Sequence, residues 1–166
     1  MSRIVVLAGS ASDDAHVARI AAGAERFGVT VERRVGSAHK TPEHVLALLR
    51  AYEADGVPTV FITVAGRSNA LSGFVDAMVS APVIACPPGL ESFNGADLWS
   101  SIRMPGDVAP LFVMDPSNAA LAAVKILAVH DPSLRARLAA HKAAEAAKVV
   151  AADSASLADQ RGAPHG

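Results

Sequence analysis

Three short stretches hold residue types that can do chemistry. They are "GSASDD" from Gly9, "GSAHKTP" from Gly36 and "AGRSN" from Ala65. In the first, Gly9 lets a ligand approach the backbone closely, Ser10 and Ser12 offer hydroxyls, and Asp13 can bind ribose hydroxyls. A helix that follows would present unpaired N–H groups to an anion. The same residues serve equally as a helix cap, through Ser12 or Asp13. The stretch matches neither G-x-G-x-x-G nor G-x-x-x-x-G-K-[ST], so neither a dinucleotide site nor a Walker-type site is indicated.

The second stretch is more specific. His39 is of the type whose free pKa lies nearest neutrality, which suits proton transfer. Lys40 beside it can hold a phosphate as a point charge. A solvated loop histidine would look the same in isolation. In the third stretch Arg67, Ser68 and Asn69 suit a carboxylate or a polarised small molecule, and Ser68 is also a helix N-cap candidate with Arg67 in solvent. Further on, "WSSIRMPG" (Trp99 to Gly106) offers an apolar wall or ordinary packing by Trp99, Ile102 and Met104.

The elements around these stretches explain why they should meet. "RIVVLA", "VTVERRV", "PTVFITVA", "APVIACPP" and "LFVMD" read as strands, the third apolar on both faces and so central. Between them lie helical patterns. Val17, Ile20, Ala21, Ala24 and Phe27 fall at helical spacing and stop at Gly28; Thr41, Pro42 and Glu43 open a second helix that ends before Gly56. "SNALSGFVDAMVS" and Ser117 to Val129 supply two more. Strand and helix alternate with short connections, which predicts a three-layer α/β/α sandwich with a parallel central sheet, flavodoxin-like or Rossmann-like. In such sheets ligands bind outside the carboxyl ends of the strands. All three stretches follow strands, so they are expected on one rim.

The expected catalytic α/β domain covers residues 1–131. Residues 132–160 read as a long alanine-rich helix with few large apolar side chains, suited to packing on another subunit, and 161–166 as a disordered tail.

The 166 residues are 51% hydrophobic with a net charge of −1, enough for a core and without the basic footprint of a nucleic-acid or anionic-membrane binder. The single cysteine, Cys86, sits in an apolar run and reads as a buried small hydrophobe in a reducing compartment. No histidine pair has credible zinc spacing with a carboxylate, so no metal is expected. No stretch reaches the ~20 apolar residues of a membrane helix, and the apolar N-terminal run is too short for a signal sequence. A cytoplasmic protein is expected. A phospho-receiver would need acidic residues after the first strand and an Asp after the third, which "IVVLAGS" and "ITVAGRS" lack. A flavin site flanked by aromatics is disfavoured by one Trp and one Tyr.

"GSxSD", "SAHKTP", "AGRSN", "PVIACPP", "WSSIRMP" and "NAALAAVKIL" occur here in order and at the spacing of a known family. Together they make the chain resemble the phosphoribosylaminoimidazole carboxylases of purine biosynthesis, often called PurE, over roughly Ile4 to Val129. One class of that family is a mutase acting on N5-carboxyaminoimidazole ribonucleotide, with a "SAHRTP" loop and a third loop like "AGGAAHLPG". The other carboxylates aminoimidazole ribonucleotide (AIR) directly with CO2. Here Lys40 stands for the arginine, Arg67, Ser68 and Asn69 replace small residues, and Ala70 stands where the mutase has its second histidine. The resemblance is thus to the direct carboxylases, class II.

That resemblance implies His39 as the proton-transfer residue. It implies Ser10, Ser12 and Asp13 on phosphate and ribose, with Ser37 and Lys40 completing the phosphate side. Gly66, Arg67, Ser68 and Asn69 would form the CO2 or carboxyl pocket, and Ala38, Ala65 and Leu71 would add to the walls. It implies no biotin, ATP or metal, CO2 being a co-substrate, and a homo-octamer built by interlocking C-terminal helices.

Overall fold

The structure is a computed structural model and describes residues 2–89 and 93–162. Strands β1 (Arg3–Ala8), β2 (Thr30–Val35), β3 (Thr59–Val64), β4 (Val83–Ala85) and β5 (Leu111–Phe112) form one sheet in the order β2-β1-β3-β4-β5. Every pairing is parallel. Helices α1 (Asp14–Glu25), α2 (Pro42–Ala54), α3 (Leu71–Met78), the single-turn α4 (Trp99–Ile102), α5 (Pro116–Leu127) and α6 (Pro132–Gly162) complete the chain. This is the flavodoxin-like three-layer sandwich that the alternation of strand and helix implies.

β1 and β3 are buried along their whole length, because helices cover both faces of the sheet there. On one face Ile4, Val6, Val60, Ile62 and Ile84 pack against α1 and α5. On the other, Val5, Leu7 and Phe61 pack against Val45 and Leu49 of α2 and Leu71 and Val75 of α3. Emptying a site such as Ile62 to alanine costs about 2–5 kcal/mol in cores of this kind. β2 is partly exposed, as an edge strand should be.

The sheet positions the reactive loops through its hydrogen-bond ladder. The ladder continues beyond the strand ends: Gly9 N–H donates to Val64 C=O at 2.8 Å, and Gly36 N–H to Ala8 C=O at 2.9 Å. The first residues after β1 and β2 are thereby pinned at the carboxyl edge. Gly36 favours glycine for a steric reason: a Cβ there would come 2.8 Å from Val45 Cγ2, so the valine side chain would have to shift.

Two helix starts differ from the sequence reading. α3 begins at Leu71, after Ser68, and the group that caps it is Asn69, whose Oδ1 accepts from Ser72 N–H at 3.2 Å. Thr41 precedes α2 as expected, but its hydroxyl is used differently. It accepts from Ser37 N–H at 3.0 Å and lies 3.3 Å from Ser37 C=O.

α6 is anchored at its start and free thereafter. Leu134 and Leu138 are buried in the α1/α5 side of the core, and His141 meets Phe27 edge-on at 5.1 Å. Beyond this, Val149 and Val150 are exposed at 71% and 66%. Residues 161–162, expected in a disordered tail, are instead the last of α6, while 163–166 lie outside the described residues, as do residues 90–92 of the loop after β4.

Candidate active site

A cavity of about 360 Å³ opens at the carboxyl edge of β1, β2 and β3. Gly9, Ser10, Ser12 and Asp13 line it from the first loop. Ser37, Ala38, His39 and Lys40 line it from the second, and Ala65, Gly66, Arg67, Ser68, Ala70 and Leu71 from the third. A larger groove of about 920 Å³ lies at the opposite end of the sheet, among Tyr52, Pro58, Pro82, Leu127 and Val129. It is mainly apolar and holds none of the three reactive loops.

Local hydrogen bonds shape each wall. Ser10 Oγ accepts from Ser12 N–H at 3.2 Å, and the two hydroxyls sit 2.8 Å apart. Ser10 therefore caps the short 3-10 turn Ala11–Asp13 that leads into α1. Asp13 makes no capping hydrogen bond, so its carboxylate is left for the cleft. In the second loop Ser37 Oγ accepts from Lys40 N–H at 3.2 Å, and Thr41 N–H donates to Ser37 C=O at 2.9 Å. These bonds close a turn that carries Ala38, His39 and Lys40 at its tip, with the His39 and Lys40 side chains exposed to the cleft.

The charges are Asp13 against Lys40 and Arg67, so the lining carries an excess of positive groups. That balance suits a ligand with more than one anionic group. Burial raises the Asp13 carboxyl above its usual range, partly opposed by His16 nearby. His16, in the first turn of α1, is pushed below its usual value chiefly by burial, then by Arg19. Its Nε2 lies 3.2 Å from Cys86 Sγ, just after β4. In the sequence His16 reads as an ordinary first-turn helix residue, since nothing in the first seventeen residues signals a contact with residue 86. Among the described residues no cluster of three His, Cys, Asp or Glu side chains is arranged to hold a metal ion.

Of the residues expected in the site, Asn69 stands apart. It is only 4% exposed and does not line the cavity. Its side chain is consumed by structure: Nδ2 donates to Ser101 Oγ at 2.9 Å while Oδ1 caps α3. Its expected contact with a carboxyl group is replaced by a scaffold role, because the amide faces the α4 segment. The reading of "WSSIRMPG" as an apolar wall is also corrected. Trp99 is 63% exposed, and neither it nor Ile102 lines the cavity or packs in the core. The serines of that segment, and Asp97 before it, are the groups that reach the third loop. Arg67 N–H donates to Asp97 Oδ2 at 3.1 Å, and Asn69 N–H to Ser100 Oγ at 2.9 Å.

Comparison with known proteins gives the same direction. The family model described as AIR carboxylase matches residues 3–148. A phosphoribosylaminoimidazole carboxylase of Treponema denticola is 46% identical over 151 residues, covering 91% of this chain and 95% of that protein. One from Archaeoglobus fulgidus is 52% identical over 136 residues, covering 82% of this chain and 74% of that protein. The crystal structure of Treponema denticola PurE superposes with a TM-score of 0.91 at 45% identity, over 93% of this chain and 98% of that one. With a family match spanning nearly the whole sandwich and a fold shared at this identity, the chain belongs to the AIR carboxylase family.

Proposed function

We propose that the protein carboxylates AIR at C4 directly with CO2, giving 4-carboxy-AIR in purine biosynthesis. The observation that carries this reading is the convergence of His39, Lys40, Arg67 and Asp13 on one cleft at the carboxyl edge of the sheet. The aminoimidazole ring is an enamine-like nucleophile, so its own electrons form the new C4–C bond as a C=O π pair of CO2 moves onto oxygen. What remains is to lose the C4 proton, restoring the aromatic ring. His39 is the base in reach of the cleft that suits this transfer. No biotin, ATP or metal is required by that electron count.

The division of labour proposed is the one the family resemblance implies, and the cleft lining is compatible with it. Ser10, Ser12, Ser37 and Lys40 hold the phosphate, with Asp13 on the ribose hydroxyls. Gly66, Arg67 and Ser68 surround the CO2 and then the product carboxylate. Arg67 is worth most there as carboxylate charge develops. Ala38, Ala65 and Leu71 keep that end poor in water. Lys40, Arg67 and Ala70 support the direct carboxylase over the mutase. The exposed outer face of α6, with Val149, Val150 and Leu157, supports assembly through these helices, and the resemblance implies that the assembly is an octamer. The compartment proposed is the cytoplasm. No helix among the described residues is long and apolar enough to cross a membrane.

A paired assay tests the reaction. One arm supplies AIR with excess bicarbonate; the other supplies freshly made N5-carboxy-AIR with CO2 scavenged. Product in the first arm alone, lost in His39→Asn, supports the direct carboxylase. Conversion in the second arm at low CO2 means the mutase instead. Silence in both arms overturns the enzymatic reading.

A further inference from the structure

Arg67 has backbone φ of +59°, in the left-handed region that a residue with a Cβ seldom occupies. Such a conformation persists only where its surroundings over-determine it, and it tends to coincide with function. Here the surroundings come from a segment about thirty residues later in the chain. Asp97 Oδ2 accepts the Arg67 N–H at 3.1 Å. Ser100 Oγ accepts the Asn69 N–H at 2.9 Å, and its own proton has two carbonyls in reach, Arg67 at 2.9 Å and Asp97 at 2.7 Å. Ser101 Oγ takes the Asn69 side-chain amide at 2.9 Å. The third loop is thus held by this segment at both backbone groups of Arg67 and at the backbone N–H and side-chain NH2 of Asn69.

We propose that Asp97 and Ser100 form a positioning clamp that holds the third loop, through Arg67 in its left-handed conformation, in the shape that receives the carboxyl group. Neither residue lines the cleft. Both act through Arg67 and Asn69, so they are positioning residues and not catalytic ones. The clamp touches only the third loop. The first and second loops are shaped by their own hydrogen bonds, Ser12 to Ser10 and Lys40 to Ser37. Loss of the clamp should therefore loosen the CO2 end of the site and leave the phosphate end intact.

The two oxygens of Asp97 have different standing. Oδ2 serves Arg67, while Oδ1 is buried with no hydrogen-bond partner among the described residues. It is the acceptor at Oδ2, more than the negative charge, that the clamp uses. An asparagine can present its carbonyl oxygen to the same N–H.

The test has a structural arm and a kinetic arm, both on the full chain. The structural arm is hydrogen exchange on ligand-free protein, read on a peptide covering 66–69. Asp97→Ala and Ser100→Ala should each speed exchange there by about tenfold or more, with peptides of the first and second loops unchanged. Asp97→Asn should keep protection near that of the wild type. The kinetic arm rests on the carboxylase reading. Asp97→Ala should lower turnover and raise the bicarbonate requirement, together about tenfold to a hundredfold, with KM for AIR within about twofold. Asp97→Asn should recover most of that loss. Unchanged exchange at 66–69 in both alanine variants overturns the clamp, whatever the assay gives. So does an Asp97→Asn variant as impaired as Asp97→Ala, since charge and not the hydrogen bond would then be at work. Should the wild-type protein turn over no AIR, the reaction proposed above fails, while hydrogen exchange still decides the clamp.

Discussion

Nε2 of His16 lies 3.2 Å from Sγ of Cys86, joining the first turn of α1 to the residue after β4 directly behind the first reactive loop. Burial lowers the His16 pKa, and burial raises the Cys86 thiol to about 12. Both groups are thus held neutral at physiological pH, and each prefers its uncharged form for the same reason: the charged form would lose water it cannot replace.

His16 makes stability depend on pH. Its folded pKa lies below its unfolded value of 6.5, so on acidification the unfolded chain takes up the proton first. Stability from this group is therefore full above about pH 6.5 and falls as pH drops towards the folded value. Thermal melts between pH 7.5 and 5.5 should show a steeper loss for the wild type than for His16→Gln. Parallel slopes would mean that His16 titrates as it does in the unfolded chain.

Cys86 should be unreactive. A thiol held near 12 is almost wholly protonated at neutral pH, and the side chain is buried. A thiol reagent at pH 7.5 should label the native protein at least about a hundredfold more slowly than the protein in denaturant. Rapid native labelling would show that the end of β4 opens to solvent.

Gly36→Ala should destabilise the fold by about 1–3 kcal/mol, because the new methyl meets Val45 Cγ2 at 2.8 Å. The strain falls on the residue before Ser37, so the turn bearing His39 should shift and activity should drop further than stability. Combining it with Val45→Ala should give less loss than the two single changes added, measured by denaturant unfolding. Strict additivity would count against this contact.

His39→Asn should lower turnover by about a hundredfold to ten-thousandfold with the melting temperature unchanged. The side chain is exposed and makes no hydrogen bond within the described residues, so its removal leaves nothing unsatisfied. A variant with near-normal turnover would remove His39 from the proton transfer.

Truncation after Val129 should break the proposed octamer and reduce activity, as read by light scattering and the AIR assay. It also deletes Leu134 and Leu138 from the core, so its melting temperature will fall. A second variant, Val149→Asp with Val150→Asp, tests the outer face alone. It should dissociate the proposed octamer with the fold retained, since both residues are exposed in the single chain. An intact octamer in that double variant would place the interface elsewhere.

Much of this protein is determined locally and so is legible in the sequence. The central strands β1 and β3 are apolar runs rich in β-branched residues, and α1 and α2 are marked at their ends within a few residues: Gly28 with φ of +70° after α1, Pro42 at the start of α2, Gly56 with φ of +68° beyond it. The alternation dictates a parallel sheet, and a parallel sheet dictates that the loops containing Ser10, His39 and Arg67 share an edge. Their meeting in one cleft was implied before any contact was known. What tertiary structure alone decided is which of those side chains face the cleft. Asn69 looks like Arg67 and Ser68 in the sequence, yet it turns inward because Ser101 and Ser72 N–H wait there. Trp99 looks like core and is exposed, while its neighbours Ser100 and Asp97 look like surface and hold the third loop. These partners lie about thirty residues apart, brought together only because β4 lies beside β3 and the chain after it returns over the same edge. Periodicity reports which face of an element is apolar, whereas a hydrogen bond between loops depends on the order of strands in the sheet.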